Sequence, residues 1–316
     1  MPDRDYRTLL LLRAARETGV IDALVTSANT VDEVVAETDV TERAARITVD
    51  ALVEAGFLED LEEGLEPTNK MLGFITKTDV RSIGSMPHEL DRLERWLALP
   101  ETMQSGVVPE KPPNWTRNRL GSMAAMDDAT VRAFVTAAVH EHADADRVLD
   151  VRGGPGSYAR EFARRGYEVT LVDEPAVIDV DEPLLQHEDI DLVPIDSATD
   201  LAVADDGERE ELAADYDIVF CARVARGLSP AENRTLLESA REVLAPGGTV
   251  VFIDTLREQA EDAALVGAEM LAQTDAGDAY DEAAFGEWFG DAGFERIRTA
   301  EVPGTDHQLV AGDKPE

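Results

Sequence analysis

The chain has 316 residues, 66 acidic against 29 basic side chains and a formal net charge of −37. At ~100–200 residues per domain this length suggests two domains, and 44% hydrophobic residues in regular apolar periods exclude a disordered acidic chain. So much like charge repels itself unless salt screens it, the Debye length falling to about 3 Å at 1 M, and an extreme halophile's cytoplasm supplies such salt. Arginine far outnumbers lysine, and the acid is spread along the chain. The lone Cys221 excludes an internal disulfide. With no signal peptide and no apolar run long enough to span a bilayer, a cytoplasmic protein without a membrane partner is expected.

Residues 1–80 read as helices followed by a small wing. The Thr8–Leu12 run is too short to cross a membrane and reads as a dimer or core face. Thr30-Val-Asp-Glu33 is a capping box that starts a helix through about Glu37. A second helix begins near Thr41 and stops at Gly56, where a left-handed C-cap suits glycine. Phe57–Asp60 and Leu65–Pro67 then form a hairpin-like wing. A helix-turn-helix could bind DNA, but its second helix sets Glu42, Asp50 and Glu54 against Arg43 and Arg46. Phosphate contacts need a positive face, so dimerisation is expected and nucleic acid is not.

A helical connector spans 81–145, broken by Pro109-Glu-Lys-Pro-Pro113, whose proline clustering marks a loop. Trp115, Met123 and Met126 are candidates for the wall of a small-molecule pocket, although large apolar residues at helical spacing are more often plain core. No metal signature is present: His140 and His142 point apart on a helix, and His88, His187 and His307 are scattered.

The segment 146–316 alternates strands with helices. Strands are expected at Arg147–Val151, Glu168–Asp173, Leu192–Ile195, Tyr216–Ala222, Thr249–Asp254, Glu295–Thr299 and Gln308–Ala311. Near-continuous apolar runs such as Ile218-Val-Phe-Cys221 suit a sheet covered on both faces, hence an α/β fold. The acid-rich stretch from Asp205 to Glu211 reads as a solvated helix or loop. Within this domain Arg147-Val-Leu-Asp-Val runs into Arg152-Gly-Gly-Pro-Gly-Ser157, and Glu168-Val-Thr-Leu-Val leads to Asp173. Gly153, Gly154 and Gly156 let the backbone turn sharply and approach a ligand. Asp173 stands where a carboxylate accepts both hydrogen bonds of a ribose diol. Strand, glycine turn, helix, strand and acid make a nucleoside-cofactor site, an order that dinucleotide-binding domains share.

From about Tyr6 onward the chain resembles the S-adenosylmethionine-dependent small-molecule O-methyltransferases that carry an N-terminal winged-helix dimerisation domain, in a haloarchaeal-type version. Asp150-Val-Arg-Gly-Gly-Pro-Gly156 resembles the family's D-V-G-G-G-x-G, and Asp173-Glu-Pro175 its D-L-P. Arg223-Val-Ala-Arg-Gly-Leu-Ser-Pro230 resembles R-V-L-H-D-W-S-D, and Leu244-Ala-Pro-Gly-Gly-Thr and Ala292-Gly-Phe294 also fit. The resemblance implies a Rossmann-like class I methyltransferase sheet over 146–316 and a homodimer built on 1–80. It also implies S-adenosylmethionine held by Asp150, Arg152, Gly153, Gly154, Gly156, Asp173, Asp196 and Ser197, with an acceptor pocket that includes Trp115, Met123, Met126 and Arg223.

The departures centre on the reaction. Where the family has the histidine that takes the acceptor's proton, this chain has Arg226, which stays protonated and is no base. Gly227 replaces the following acid, the family's helper glutamate falls near Ala279, and Arg152 replaces the first glycine of the loop. Three readings follow: a methyltransferase working without that histidine, a cofactor-binding protein that no longer transfers methyl, and a winged-helix regulator with a degenerate catalytic domain. Arg152, Arg223 and Arg226 together predict an anionic acceptor or ligand. The alternative is that Arg226 points to solvent and pairs with surface acid.

Overall fold

The computed structural model describes residues 6–75, 79–201, 212 and 215–316. The expected helix or loop at 205–211 therefore lies outside the described residues. The chain divides into two compact units, residues 1–97 with 111–125, and residues 98–110 with 126–316. The connector at 81–145 is thus shared between the units and forms no third one.

The first unit opens with helices α1 (Tyr6–Glu17), α2 (Val20–Thr26), α3 (Val31–Glu37) and α4 (Glu42–Glu54). Thr30 caps α3 by accepting the Glu33 amide at 3.3 Å; the Glu33 carboxylate reaches back to the amide of Asn29, one residue earlier than a reciprocal box would have it. Thr41 caps α4 in the same way, and Gly56 ends that segment at φ 73°. Strands β1 (Leu58–Leu61) and β2 (Gly64–Pro67) pair antiparallel as the wing, followed by α5 (Asn69–Leu72). Leu12, Ile21, Leu24, Val34, Leu52 and Phe57 share the buried core, while Leu10 and Tyr6 stay exposed on α1. On α4, Arg46 pairs with Asp50 at 3.6 Å, so the face that would meet phosphate is partly neutralised by its own acid.

Helix α6 (Met86–Leu97) packs against α1 and belongs to this unit; α7 (Leu99–Ser105) belongs to the second. Helix α8 (Trp115–Ala124) returns to α6, and α9 (Asp128–Glu141) covers the sheet of the second unit. Each helix goes where its apolar face is buried. Leu120 is buried on α8, whereas Val131, Phe134, Val135 and Ala138 of α9 close on the sheet.

The second unit contains β3 (Arg147–Val151), α10 (Ser157–Arg164), β4 (Glu168–Asp173), α11 (Pro175–Leu185), β5 (Ile190–Pro194), β6 (Tyr216–Ala222), α12 (Pro230–Val243), β7 (Leu244–Asp254), α13 (Ala263–Gln273), α14 (Glu282–Asp291), β8 (Glu295–Glu301) and β9 (Gln308–Asp313). The strands form one sheet ordered β5-β4-β3-β6-β7-β9-β8, parallel except at β9, which runs antiparallel to both its neighbours. Alternate residues feed two cores: Leu149, Val219, Cys221 and Phe252 face one side, and Val148, Ile218, Phe220 and Val251 the other. Fully burying each such aromatic or branched side chain contributes about 1.5–3 kcal/mol. The chain steps outward from β3 through β4 to β5 and then returns beside β3 as β6. That reversal opens a crevice at the carboxyl ends of β3 and β6, the position where open α/β sheets bind ligands.

Candidate active site

Five carboxyl-end segments converge at this crevice: the loops after β3, β4, β6 and β7 and the β8–β9 hairpin. The first carries the glycines. A Cβ on Gly153 would lie 2.5 Å from an Asp150 carboxylate oxygen, and one on Gly156, at φ 70°, would lie 2.7 Å from Leu185, so neither position accommodates a side chain. Asp150 is 1% exposed; among the described residues neither of its oxygens meets a donor at full hydrogen-bond geometry, the Ala159 amide acting on it only weakly. Burial, reinforced by the nearby Asp173, raises its pKa to about 8.

Asp173 is fully buried and accepts the amides of Gly154 at 3.1 Å and Glu174 at 2.8 Å. Arg152, left-handed at φ 56° although it is not glycine, lies across this carboxylate. Its guanidinium hydrogen-bonds Glu174 and approaches Asp173 to 3.8 Å. Asp196 and Ser197 follow β5 and are exposed; the Ser197 hydroxyl bonds Thr199 at 2.9 Å.

The loop after β6 carries the three-residue turn Ala225–Gly227. Asn233, buried on α12, donates to the carbonyls of Ala225 and Ser229, and the Tyr280 hydroxyl donates to Leu228, so the turn is braced from behind. Arg226 is neither solvent-facing nor paired with surface acid. Its Nε donates to Asp254 at the end of β7 at 2.5 Å, its Nη2 to Thr255 at 3.1 Å, and its amide to Asp254 at 3.2 Å. The pair is almost buried, at 11% and 4% side-chain exposure. The cation at the position of the family's base is thus neutralised by the protein itself. Arg223, also left-handed at φ 61°, is exposed, and its side chain has no hydrogen bond or ion pair among the described residues. Ala279, near which the family's helper glutamate falls, is buried; its carbonyl accepts from Arg257 and its amide donates to Asp278.

Of the expected pocket residues, Met126 touches the Tyr158 hydroxyl through its sulfur at 3.4 Å within the second unit. Met123 is half-buried on α8, its sulfur 3.4 Å from Arg119. Trp115 is 6% exposed in the first unit, its ring edge-on to His88 and covered by Arg95, which is the plain-core alternative. A cleft of about 930 Å³ in that unit, lined in part by Leu9, Lys70, Arg81 and Ile83, contains none of the predicted site residues.

Three residues at the crevice were missed from sequence. Asp254 closes an apolar strand as Asp173 does, a signal that was there to be read. Tyr158, on α10, is buried, and its hydroxyl is pushed up to about 12 by burial. His307, immediately before β9, gives no sequence signal beyond its place in the last hairpin.

A mostly parallel seven-stranded sheet with one antiparallel strand, β9, and a glycine-turned crevice after β3 is the fold of class I methyltransferases. The family described as Methyltransferase domain matches residues 123–299, and the chain belongs to it. A 3-hydroxy-5-methyl-1-naphthoate 3-O-methyltransferase from Streptomyces sahachiroi is 26% identical over 96% of this chain and 91% of its own length. A tetracenomycin polyketide synthesis 8-O-methyltransferase from Streptomyces glaucescens is 24% identical over 86% of this chain and 83% of its own. The fold is similar to that of human N-acetylserotonin methyltransferase in complex with S-adenosylmethionine, with TM-score 0.68, 20% identity, and 98% of this chain and 95% of that one covered. PigF with S-adenosylhomocysteine gives TM-score 0.74 at 18% identity, covering 98% and 96%. The protein is therefore an S-adenosylmethionine-dependent methyltransferase of small molecules.

The residues at the crevice fit that cofactor. Asp150, with both oxygens unpaired among the described residues beside Gly153 and Gly156, would suit a cationic amino acid moiety, and Asp173 at the end of β4 would hold the ribose. Bound there, S-adenosylmethionine supplies an electrophilic methyl group. A ribose diol held by Asp173 would share its oxygens with the Gly154 and Glu174 amides that they already accept.

Proposed function

We propose that this protein methylates a hydroxyl of a small aromatic acceptor without a base at position 226, and that the acceptor carries an anionic group held by Arg223. The observation that carries this reading is the Arg226–Asp254 pair: the side chain at the base position is committed to a buried carboxylate and accepts no proton. With Arg152 and Arg226 both matched by carboxylates, Arg223 becomes the cation for an incoming anion, narrowing the three-arginine expectation to one residue. The naphthoate in the name of the Streptomyces sahachiroi relative, with one carboxylate and one hydroxyl, is an acceptor of this kind.

The test uses purified protein in multi-molar salt, S-adenosylmethionine, and 3-hydroxy-1-naphthoate beside 2-naphthol. Methyl transfer to the naphthoate is expected. Arg223→Met should raise KM for the naphthoate about tenfold or more, the worth of a charge-assisted hydrogen bond of ~1.5–3 kcal/mol, and leave 2-naphthol unchanged. Equal effects on both acceptors would remove Arg223 from the reading.

The same proposal includes a halophilic setting and a homodimer through the first unit. The net charge of −37 and the exposed Tyr6 and Leu10 of α1 support it. Light scattering in 3 M salt is expected to return twice the chain mass; a monomer there argues against the dimer, and DNA binding in that salt would revive the regulator.

A further inference from the structure

We propose that His307 is the catalytic proton acceptor of this site, replacing from the β8–β9 hairpin the imidazole that position 226 lacks. The inference rests on the methyl-transfer reading above.

The hairpin ends at the reaction edge of the sheet. Gln308 pairs in register with Asp254, the carboxylate that fixes Arg226, and its side chain holds the amide of Leu256 at 2.9 Å, so the residue before it is anchored beside the Arg226 loop. The other histidines lie elsewhere: His88 in the first unit, His140 and His142 at the far end of α9, His187 exposed after α11. The His307 ring rests edge-on against Phe134 at 5.0 Å, and Phe134 stacks on Tyr158 at 5.7 Å, which ties the imidazole to the helix of the cofactor loop. Neither ring nitrogen has a hydrogen-bond partner among the described residues, and Nδ1 is also shut off from water. An unpartnered imidazole nitrogen in so polar a neighbourhood is costly unless a ligand completes it.

Charge supports the role. The groups facing the ring are Arg223 and Arg226 from the β6 loop, Asp254 from β7 and Asp306 beside it. Burial, then the two arginines, push its pKa down to about 4 against the pull of the two carboxylates, so the ring is neutral at working pH and able to accept. So weak a base leaves a phenol protonated in the ground state. It suffices later, because the acceptor oxygen becomes strongly acidic as its lone pair bonds the methyl carbon. The carbon–sulfur electron pair stays on sulfur, the hydroxyl proton passes to the imidazole, and the imidazolium, acidic in this setting, returns it to water.

The experiment compares wild type and His307→Gln at pH 8 on two probes: 3-hydroxy-1-naphthoate, un-ionised at its hydroxyl, and its 4-nitro derivative, ionised there. The variant should lose kcat about 100-fold or more on the first and no more than roughly threefold on the second. Equal loss on both, or none on either, overturns the proposal. Calorimetric affinity for S-adenosylmethionine should be unchanged, which checks that the fold survives. Independently of turnover, the His307 ring signals in proton NMR should shift when 3-hydroxy-1-naphthoate is added to protein saturated with S-adenosylhomocysteine. Unmoved ring signals overturn the role of His307, whereas wild type that shows the shift but transfers no methyl overturns only the activity reading.

Discussion

Arg226→Ala is expected to destabilise the second unit by about 3–5 kcal/mol, the cost of stranding a buried charge, because Asp254 is 4% exposed and loses its ion-pair partner. At ~2–4 °C of melting temperature per kcal/mol for a chain of this order, thermal unfolding should fall by roughly 10 °C. Arg226→His is the informative partner. Asp254 remains to orient the imidazole, and the turn is still held by Asn233 and Tyr280, so much of the stability should return. With a second imidazole in the crevice, kcat on 2-naphthol should equal or exceed that of the parent. A melting temperature unchanged by Arg226→Ala would mean that the pair is solvated and that Arg226 is free to meet a ligand after all.

The second large effect is expected at Asp150. Its native pKa of about 8 lies above the ordinary carboxylate value of 3.8, so between those two pH values the native state holds a proton that the unfolded chain releases. Ligand-free stability should therefore be complete below about pH 4 and fall as pH rises towards 8, at up to about 1.4 kcal/mol per pH unit. Asp150→Asn removes this dependence and should stabilise the ligand-free protein at pH 7 by a few kcal/mol while weakening S-adenosylmethionine binding. Binding to the parent should expel the proton, so that calorimetric heats at pH 7 vary with the ionisation enthalpy of the buffer. Heats independent of the buffer, or a variant that binds as tightly, would place Asp150 outside the cofactor site.

Local signals carried most of the fold. Thr30 and Thr41 announced their helices, Gly56 its cap, and the β3 and β4 runs with their glycine turn announced the crevice. Boundaries slipped where local chemistry and pairing disagree. Pro246-Gly-Gly248 reads as a turn, yet β7 runs through it from Leu244, and the half-exposed edge strand β5 starts two residues early, at Ile190. The division of the connector was not legible, because each of α6 to α9 has apolar residues to bury and only their packing partners show in which unit they do so. The same holds at the site. Residue types at 152, 223 and 226 could be read, but whether each arginine meets a ligand or a carboxylate depends on Glu174 and Asp254, and the latter is 28 residues away. His307 lies still farther along the chain.

The order in which the polypeptide visits its two units has a consequence for its integrity. It passes from one to the other after Leu97, after Glu110 and after Ala125. A protease cutting in the proline-rich loop at 109–113 would leave α7 on one fragment and its packing partner α13 on the other, and would likewise part α6 from α8. Each fragment would thus keep a helix embedded in the body of its counterpart, and a nicked molecule would hold together as one particle. A gene piece starting at residue 146 would have no such protection. It omits α9, whose Val131, Phe134, Val135 and Ala138 seal one face of the sheet, and exposes that apolar surface to its neighbours in solution.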